Sequence, residues 1–122
     1  MRQLTSHKVN GLNDQLEILV LDEPGSGNAC HRYGINMLTG TPGCSGPVIN
    51  FQNGPIVENG VNGISQEALL AIVEDRLKSF QAGEYACREN AIALTHIQDA
   101  MHCLHHRTRE RVARGVEGTS GK

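Results

Sequence analysis

From Ser65 to Arg114 the apolar residues recur at helical spacing in two runs, separated by Gln81-Ala82-Gly83-Glu84. In the first run Leu69, Ile72, Val73, Leu77 and Phe80 share one face, with Glu74, Asp75 and Lys78 largely outside it. In the second, Ala93, Leu94, Ile97, Met101 and Leu104 line up behind Asn90. The pattern predicts two helices folded back on each other. Ser65 is the expected N-cap of the first, with Gln66 and Glu67 in its first turn, where negative charge suits the helix dipole. Gly83 is placed to close that helix in the left-handed conformation. The second helix is expected to begin near Tyr85 or Ala86 and to run to about Arg114, where Gly115 stops it. Ala91, Ala93 and Ala100 allow close helix contact. This helix far exceeds the ~11–12-residue average, and a helix that outgrows its partner usually meets another subunit. Val116 to Lys122 then reads as a flexible tail.

Ahead of the hairpin the periodicity changes. Residues 1–15 are polar, with turn signals at Asn10-Gly11 and Asn13-Asp14. Leu16 to Leu21 is too short for a stable helix and is rich in aliphatic and β-branched residues, so it reads as a strand. Asp22 to Asn28 is a loop by composition. Ala29 to Leu38 is the returning strand, with Tyr33, Ile35 and Met37 alternating onto one face. Thr39 to Pro47 is a second loop and Val48 to Phe51 a third strand. Three antiparallel strands with a helix over one face are about the least that holds together. Residues 52–63 form a connector punctuated by Asn53-Gly54-Pro55, Asn59-Gly60 and Asn62-Gly63, a density that neither helix nor sheet tolerates. The expected fold class is α+β: a small N-terminal antiparallel sheet (1–50), a Gly/Asn-rich connector (51–64) and a long antiparallel helical hairpin with a basic end (65–122). There is no internal repeat.

At 122 residues with no Trp, two Phe and two Tyr, the core must come from aliphatic side chains and is modest. A thin core with long helices favours a homo-oligomer. The net charge of -2 argues against binding duplex nucleic acid by bulk electrostatics. No apolar run approaches a membrane span and the N-terminus lacks a signal-peptide core, which places the expected site of action in a cytoplasm. Cys30, Cys44, Cys87 and Cys103 form no CxxC pair and are expected as free thiols.

Four groups of residues bear on chemistry. At the hairpin turn, Phe80 and Tyr85 flank the loop, with Arg88 and Asn90 just beyond. An aromatic ring or guanidinium plane stacks on a base, an Asn amide pairs with a base edge or ribose hydroxyl, and a helix start suits a phosphate. The same residues also fit ordinary packing, with Phe80 closing the core, Arg88 paired to Glu84 and Asn90 capping the helix. At the far end, Arg107, Arg111 and Arg114 share one face and Arg109 points elsewhere. Arginine forks match phosphates, and copies around a symmetry axis would converge on a compact polyanion. Gly115 and Gly118 allow close backbone approach and Thr119 offers a hydroxyl. A solvated helix end, with Glu110 paired to Arg107 or Arg114, fits equally well. The third group is His102, His105 and His106. His102 and His106 are four apart, but no carboxylate sits inside the cluster, and a surface histidine patch is favoured over zinc. The fourth, Pro24 to Asn28, lacks the Gly-Lys-Ser/Thr of a phosphate loop. Cys30-His31 and His102-Cys103 are adjacent pairs that diverge on a strand or helix. No catalytic residue, metal ligand or cofactor is therefore assigned.

Several ordered blocks carry a resemblance: Phe51-Gln52-Asn53-Gly54-Pro55, Glu58-Asn59-Gly60-Val61-Asn62-Gly63, Arg76-Leu77-Lys78-Ser79-Phe80-Gln81-Ala82-Gly83, Cys87-Arg88-Glu89-Asn90-Ala91, Arg107-Thr108, and Arg114-Gly115-Val116-Glu117-Gly118-Thr119. Over 51–119 the chain resembles the phage helical-hairpin family shared by the first type of Thoeris anti-defence protein and the second type of anti-CBASS protein. The N-terminal sheet resembles the layout of the Thoeris branch. The resemblance implies a sponge: a protein that holds cyclic nucleotide immune messengers intact so that the downstream effector never fires. The implied ligands are glycocyclic ADP-ribose and cyclic di- and trinucleotides, and the implied assemblies are dimers and hexamers in the cytoplasm of the infected bacterial host. The resemblance further implies one pocket at Phe80, Arg88 and Asn90, which Tyr85 adjoins. It implies a second where three subunits meet, at Arg107, Arg111, Gly115 and Thr119. The alternatives are a metal-assisted enzyme degrading the same messengers and a helical adaptor without a small-molecule ligand.

Overall fold

In the computed structural model, which describes residues 2–38, 45–119 and 121 (Ser45 by its backbone alone), the N-terminal strands pair as a meander. β1 (Arg2–Leu4), β2 (Leu16–Val20), β3 (Arg32–Met37) and β4 (Ser45–Asn50) form one antiparallel sheet in the order β1-β2-β3-β4. The cross-strand pairs Leu16↔Met37, Ile18↔Ile35 and Val20↔Tyr33 place the alternating apolar side chains on one face. Ile49 joins them opposite Tyr33, and Phe51 meets the Tyr33 ring edge-on at 5.7 Å between centroids. Val20, 3% exposed, is the buried large apolar side chain among the described residues.

The sheet has one strand more than the three expected. β1 lies in the polar stretch read as turns, and pairing of Leu4 with Ile18 brings it in. Three residues of mixed polarity carry no period, so only the neighbouring strand makes this segment β. Asn10 caps α1 (Gly11–Asp14), a single turn, by accepting the Asn13 N–H at 2.8 Å. The expected strand at Val48 begins earlier, at Ser45. The register slips between Gly34 and Asn36, where β4 holds an extra residue. A side chain at Gly46 would strike the Ile35 carbonyl, and Pro47, with no N–H to donate, is tolerated on this irregular last strand. Cys44 and most of the loop expected before this strand lie outside the described residues.

The connector is more structured than its composition implies. It contains a helical turn, α2 (Ile56–Asn59), and ends in a parallel bridge between Phe51 and Ile64. Side-chain amides do the work of a backbone ladder. Asn62 accepts the Asn53 N–H and donates to the Asn53 carbonyl, each at 2.8 Å. Gln52 accepts the Asn62 N–H at 2.9 Å and donates to the Gly60 carbonyl at 2.8 Å. Asn53 also accepts the Ser26 N–H, tying in the β2–β3 loop. The Asn-Gly density is thus a set of hydrogen-bonded turns.

The second unit, Ser65–Lys122, is described separately from the first, Met1–Ile64. It contains α3 (Gln66–Gln81) and α4 (Arg88–Arg114). Ser65 caps α3 as expected, its Oγ accepting the Ala68 N–H at 3.1 Å. Gly83 does not close α3 in the left-handed conformation: Ala82 ends the helix in the right-handed region and bonds back to Lys78. The turn is instead closed by Gln81, whose Oε1 accepts the Cys87 N–H at 3.0 Å. α4 starts two or three residues later than expected. Tyr85 and Ala86 stay in the turn, and Cys87 is the N-cap, its Sγ accepting the Asn90 N–H at 3.4 Å. Gly115 ends α4 with φ 74°, as expected.

Sixteen residues make α3 ~24 Å long and 27 make α4 ~40 Å. Along α4 the half-buried positions are Asn90, Leu94, Ile97, Ala100, Met101, Leu104, Thr108 and Arg111; on α3 they include Leu69, Leu70, Glu74, Leu77 and Gln81. The stripe expected on α3 therefore splits. Leu77 packs toward the hairpin seam, while Ile72 (60% exposed), Val73 and Phe80 stand open. Neither helix contains a buried residue.

In the sheet unit, Asp22 accepts the backbone N–H groups of His31 and Arg32 at 3.0–3.2 Å. The His31 N–H is the chief cause of a carboxyl pKa below its usual value. A depressed folded pKa gives stabilisation that is complete above the unfolded value, near ~3.9, and that fades as pH falls through the lower folded value. Asp22→Asn is expected to unfold more readily than the parent by a constant margin above about pH 5, with the margin shrinking below about pH 4. Urea midpoints across pH 2.5–7 check this, and a margin that grows on acidification contradicts it.

Candidate functional site

The turn end of the hairpin brings four expected residues together on adjoining elements. Phe80, 38% exposed, ends the open face of α3, and the Arg76 guanidinium lies 5.4 Å from its ring centroid. Tyr85, 71% exposed, projects from the turn. Arg88 is the exposed first residue of α4, and Asn90 sits half-buried two residues on. The ordinary packing roles do not materialise: Phe80 closes no core, Cys87 rather than Asn90 is the cap, and among the described residues Arg88 makes no ion pair with Glu84. The exposed Tyr85 ring, the Arg88 guanidinium and the half-buried Asn90 side chain thus lie at one end of the hairpin, beside a Phe80 ring that Arg76 partly covers. The backbone N–H groups of Arg88 and Glu89, at the positive end of α4, are not bonded back within the helix. That set can stack on a base, pair with a sugar or base edge, and hold a phosphate.

Three residues that matter here escape a reading by residue type. Gln81 and Cys87 fix the path of the turn, and Arg76 covers Phe80. The Arg76-to-Phe80 spacing of one helical turn was the available signal for the last. Cysteine is not a preferred cap, so nothing local marked Cys87.

At the far end of α4 the expected residues divide. Arg107 is exposed and makes no ion pair among the described residues. Arg111 is only 11% exposed along its side chain and is committed within the chain. Its Nε donates to Glu117 at 3.2 Å, one terminal nitrogen donates to the Gly121 carbonyl at 2.7 Å, and the other donates to the Val116 and Thr119 carbonyls at 3.0 Å each. The Thr119 hydroxyl donates to the Val116 carbonyl and accepts the Gly121 N–H at 3.1 Å. The segment expected as a flexible tail is, through its described residues, a loop wound around one guanidinium. Gly115 and Gly118 supply the two left-handed residues it needs. Glu110 meets His106 at 3.5 Å on the exposed surface, not the arginines it was matched with. Among the described residues no group of three or more His, Cys, Asp and Glu is placed to hold a metal ion, and Cys30, Cys87 and Cys103 are free thiols. None of the described helices is long and apolar enough to cross a membrane.

A separate open cleft of about 410 Å³ lies in the sheet unit, lined by Arg2, Val20, Leu21, Asp22, Glu23, Pro24 and Cys30. No motif pointed to it. Its polar groups are already engaged in part, Asp22 with the backbone and Arg2 with the Cys30 sulfur at 3.8 Å.

Two comparisons bear on this geometry. A family model described as the Acb2/Tad1 hairpin domain matches residues 45–109. A Bacillus phage SBSphiJ7 protein named Thoeris anti-defense 1 is 51% identical over 74 residues, or 61% of this chain and 52% of its own length. The chain thus matches about half the length of that curated relative. The family match runs from β4 through the turn and stops at Arg109, inside α4. It includes Phe80, Tyr85, Arg88, Asn90 and Arg107, and excludes Arg111, Gly115 and Thr119.

A thiol is a poorer acceptor than a hydroxyl, so α4 starts with a weak cap at the residue that orients Arg88 and Asn90. Cys87→Ser is expected to stabilise the hairpin by about 0.5–1 kcal/mol, read as a raised urea midpoint at unchanged slope. A lowered midpoint would show that the sulfur acts by packing instead.

Proposed function

The chain belongs to the Acb2/Tad1 hairpin-domain family, and from that premise we propose that it is a phage anti-defence protein that sequesters cyclic nucleotide immune messengers. It acts by binding and not by catalysis, in the cytoplasm of an infected bacterium. The observation that carries the reading is the 51% identity to a Thoeris anti-defence protein, together with a matched segment that contains the whole turn end of the hairpin.

The principal ligand in this reading is glycocyclic ADP-ribose, with cyclic di- and trinucleotides as further ligands. Phe80 stacks on the base, the Asn90 amide reads a base edge or ribose hydroxyl, Arg88 and the start of α4 hold phosphate, and Tyr85 closes over the ligand. Arg107, Arg111, Gly115 and Thr119 belong to the second site, for compact cyclic oligonucleotides. The sites are completed by further copies of the chain, as a dimer and as a hexamer. The open face of α3, with Ile72, Val73 and Phe80, supports this assembly, because a two-helix hairpin cannot cover it from within. In this reading a second subunit on that face walls the pocket beside Phe80. A sponge needs tight binding and slow release, and a pocket shared between subunits removes more ligand surface from water than a single open turn does.

Incubation with glycocyclic ADP-ribose followed by denaturation is expected to return the ligand intact, and recovery of a linear product contradicts sequestration. Phe80→Ala and Asn90→Ala are each expected to weaken this ligand by about tenfold or more, equivalent to the ~1–3 kcal/mol of a lost base stack or buried amide. Arg107→Ala is expected to leave it unchanged and to weaken a cyclic trinucleotide. Calorimetric titration measures both, and loss of both ligands in every variant contradicts two separate sites.

A further inference from the structure

We infer that Arg111 is a positioning residue, whose guanidinium fixes Val116, Glu117, Thr119 and Gly121 at the end of α4 and contributes to anion binding only through them. The inference rests on reading this end of the hairpin as the cyclic-oligonucleotide site, and it changes the role given there to Arg111.

A guanidinium carries five N–H donors in a rigid plane. In Arg111 they serve four acceptors: the Glu117 carboxylate and the carbonyls of Val116, Thr119 and Gly121. A fork so occupied has no edge left for a bidentate phosphate contact. The side chain is also 11% exposed, whereas Arg107, one turn earlier on the same helix, is exposed. Moving Arg111 onto a phosphate would take the guanidinium from the Thr119 and Gly121 carbonyls, leave Val116 only its Thr119 donors, and release Glu117, a carboxylate, next to the incoming anion. The cost of unpaired half-buried acceptors and of the added repulsion opposes that exchange.

The loop depends on Arg111 in turn. The described residues 116–119 and 121 form no helix or strand. Among the described residues their internal bonds are short-range: the Thr119 N–H and hydroxyl both donate to the Val116 carbonyl, and the Gly121 N–H donates to the Thr119 hydroxyl. Contacts spanning only two or three residues do not fix a loop of this length against its conformational entropy. Three carbonyls converging on one planar cation supply the missing long-range constraint. The Val116 N–H bonds to the Arg111 carbonyl at 3.0 Å, so backbone and side chain of one residue hold both ends of the turn after Gly115. In this arrangement Arg107 is the cation that meets the anion, and Gly115 and Thr119 are held beside it by Arg111. Lysine cannot replace arginine here, because one ammonium cannot present a planar fork to acceptors on several sides.

The test compares the full-length chain with Arg111→Lys and Arg107→Ala, using cyclic triadenylate as probe at several salt concentrations. Amide hydrogen exchange is read at Val116 and Thr119, and affinity for glycocyclic ADP-ribose reports an intact turn end. Arg111→Lys is expected to lose exchange protection at both amides and to bind cyclic triadenylate about tenfold or more weakly, with the salt dependence of binding unchanged. Arg107→Ala is expected to keep the protection and to reduce the salt dependence by about one charge contact. An Arg111→Lys chain that keeps its protection, or that loses a charge contact in the salt dependence as Arg107→Ala does, overturns the positioning role. If the parent chain does not bind cyclic triadenylate, the anion-site reading of this end falls, and exchange alone then decides: collapsed protection in Arg111→Lys upholds the anchor and retained protection overturns it. Glu117→Gln removes one acceptor charge and keeps the three carbonyls. It is expected to retain most of the protection, and full collapse there would assign the loop to the ion pair instead of to the carbonyl set.

Discussion

A helix with apolar side chains on two faces and one helical neighbour must leave one of those faces uncovered. α3 is such a helix. Leu70 and Leu77 turn toward the hairpin seam, while Ile72, Val73 and Phe80 do not. α4 adds a second mismatch, because it is ~16 Å longer than the helix it folds against. The described residues of both units include a single buried large apolar side chain, Val20. Apolar area left in water is the dominant stabilisation forgone, at about 25 cal/mol per Å². This shortfall is what the proposed assembly would relieve, with another subunit on the open face of α3 and Phe80 at its edge.

The two ends of the hairpin solve different problems with different chemistry. At the turn the bonds that fix the chain run from the Cys87 N–H to Gln81 and from the Asn90 backbone N–H to Cys87, and none of them uses the side chains of Tyr85, Arg88 or Asn90. The side chains that fix the turn and those proposed to meet a ligand are thus different ones. At the far end one residue, Arg111, is both the most basic-looking candidate and the centre of the local scaffold. The availability of a cation, not its presence in a stripe, decides whether it can meet a phosphate.

Much of this was legible in the chain itself. The α+β order, both helices, the Ser65 cap and the Gly115 stop follow from periodicity and cap chemistry, which are local. The blocks around Phe51, Phe80 and Asn90 identified the family that the comparison over 45–109 establishes. What escaped was fixed by partners distant in sequence or by unusual chemistry. β1 has no strand signature of its own and exists by pairing with β2. Cys87 caps α4 although thiols seldom cap, which moved the expected start of that helix and misplaced Tyr85. Gly83 was assigned a left-handed role that the Gln81 side chain made unnecessary. The Asn and Gly density of the connector argues against helix and sheet there, but not for the helical turn at Ile56–Asn59 or for the asparagines that hydrogen-bond each other across nine residues. The tail looked flexible because glycine, serine and threonine say nothing of a guanidinium several residues back.

The central claim is that copies of this hairpin assemble and hold a cyclic nucleotide without changing it. Native mass spectrometry of the full chain with glycocyclic ADP-ribose reads assembly, stoichiometry and ligand mass in one spectrum. The account predicts even-numbered multiples of the 13.2 kDa chain, carrying ligand of unaltered mass at sites shared between subunits. A monomer that binds the ligand alone, or an assembly that carries a ligand of altered mass, would contradict it.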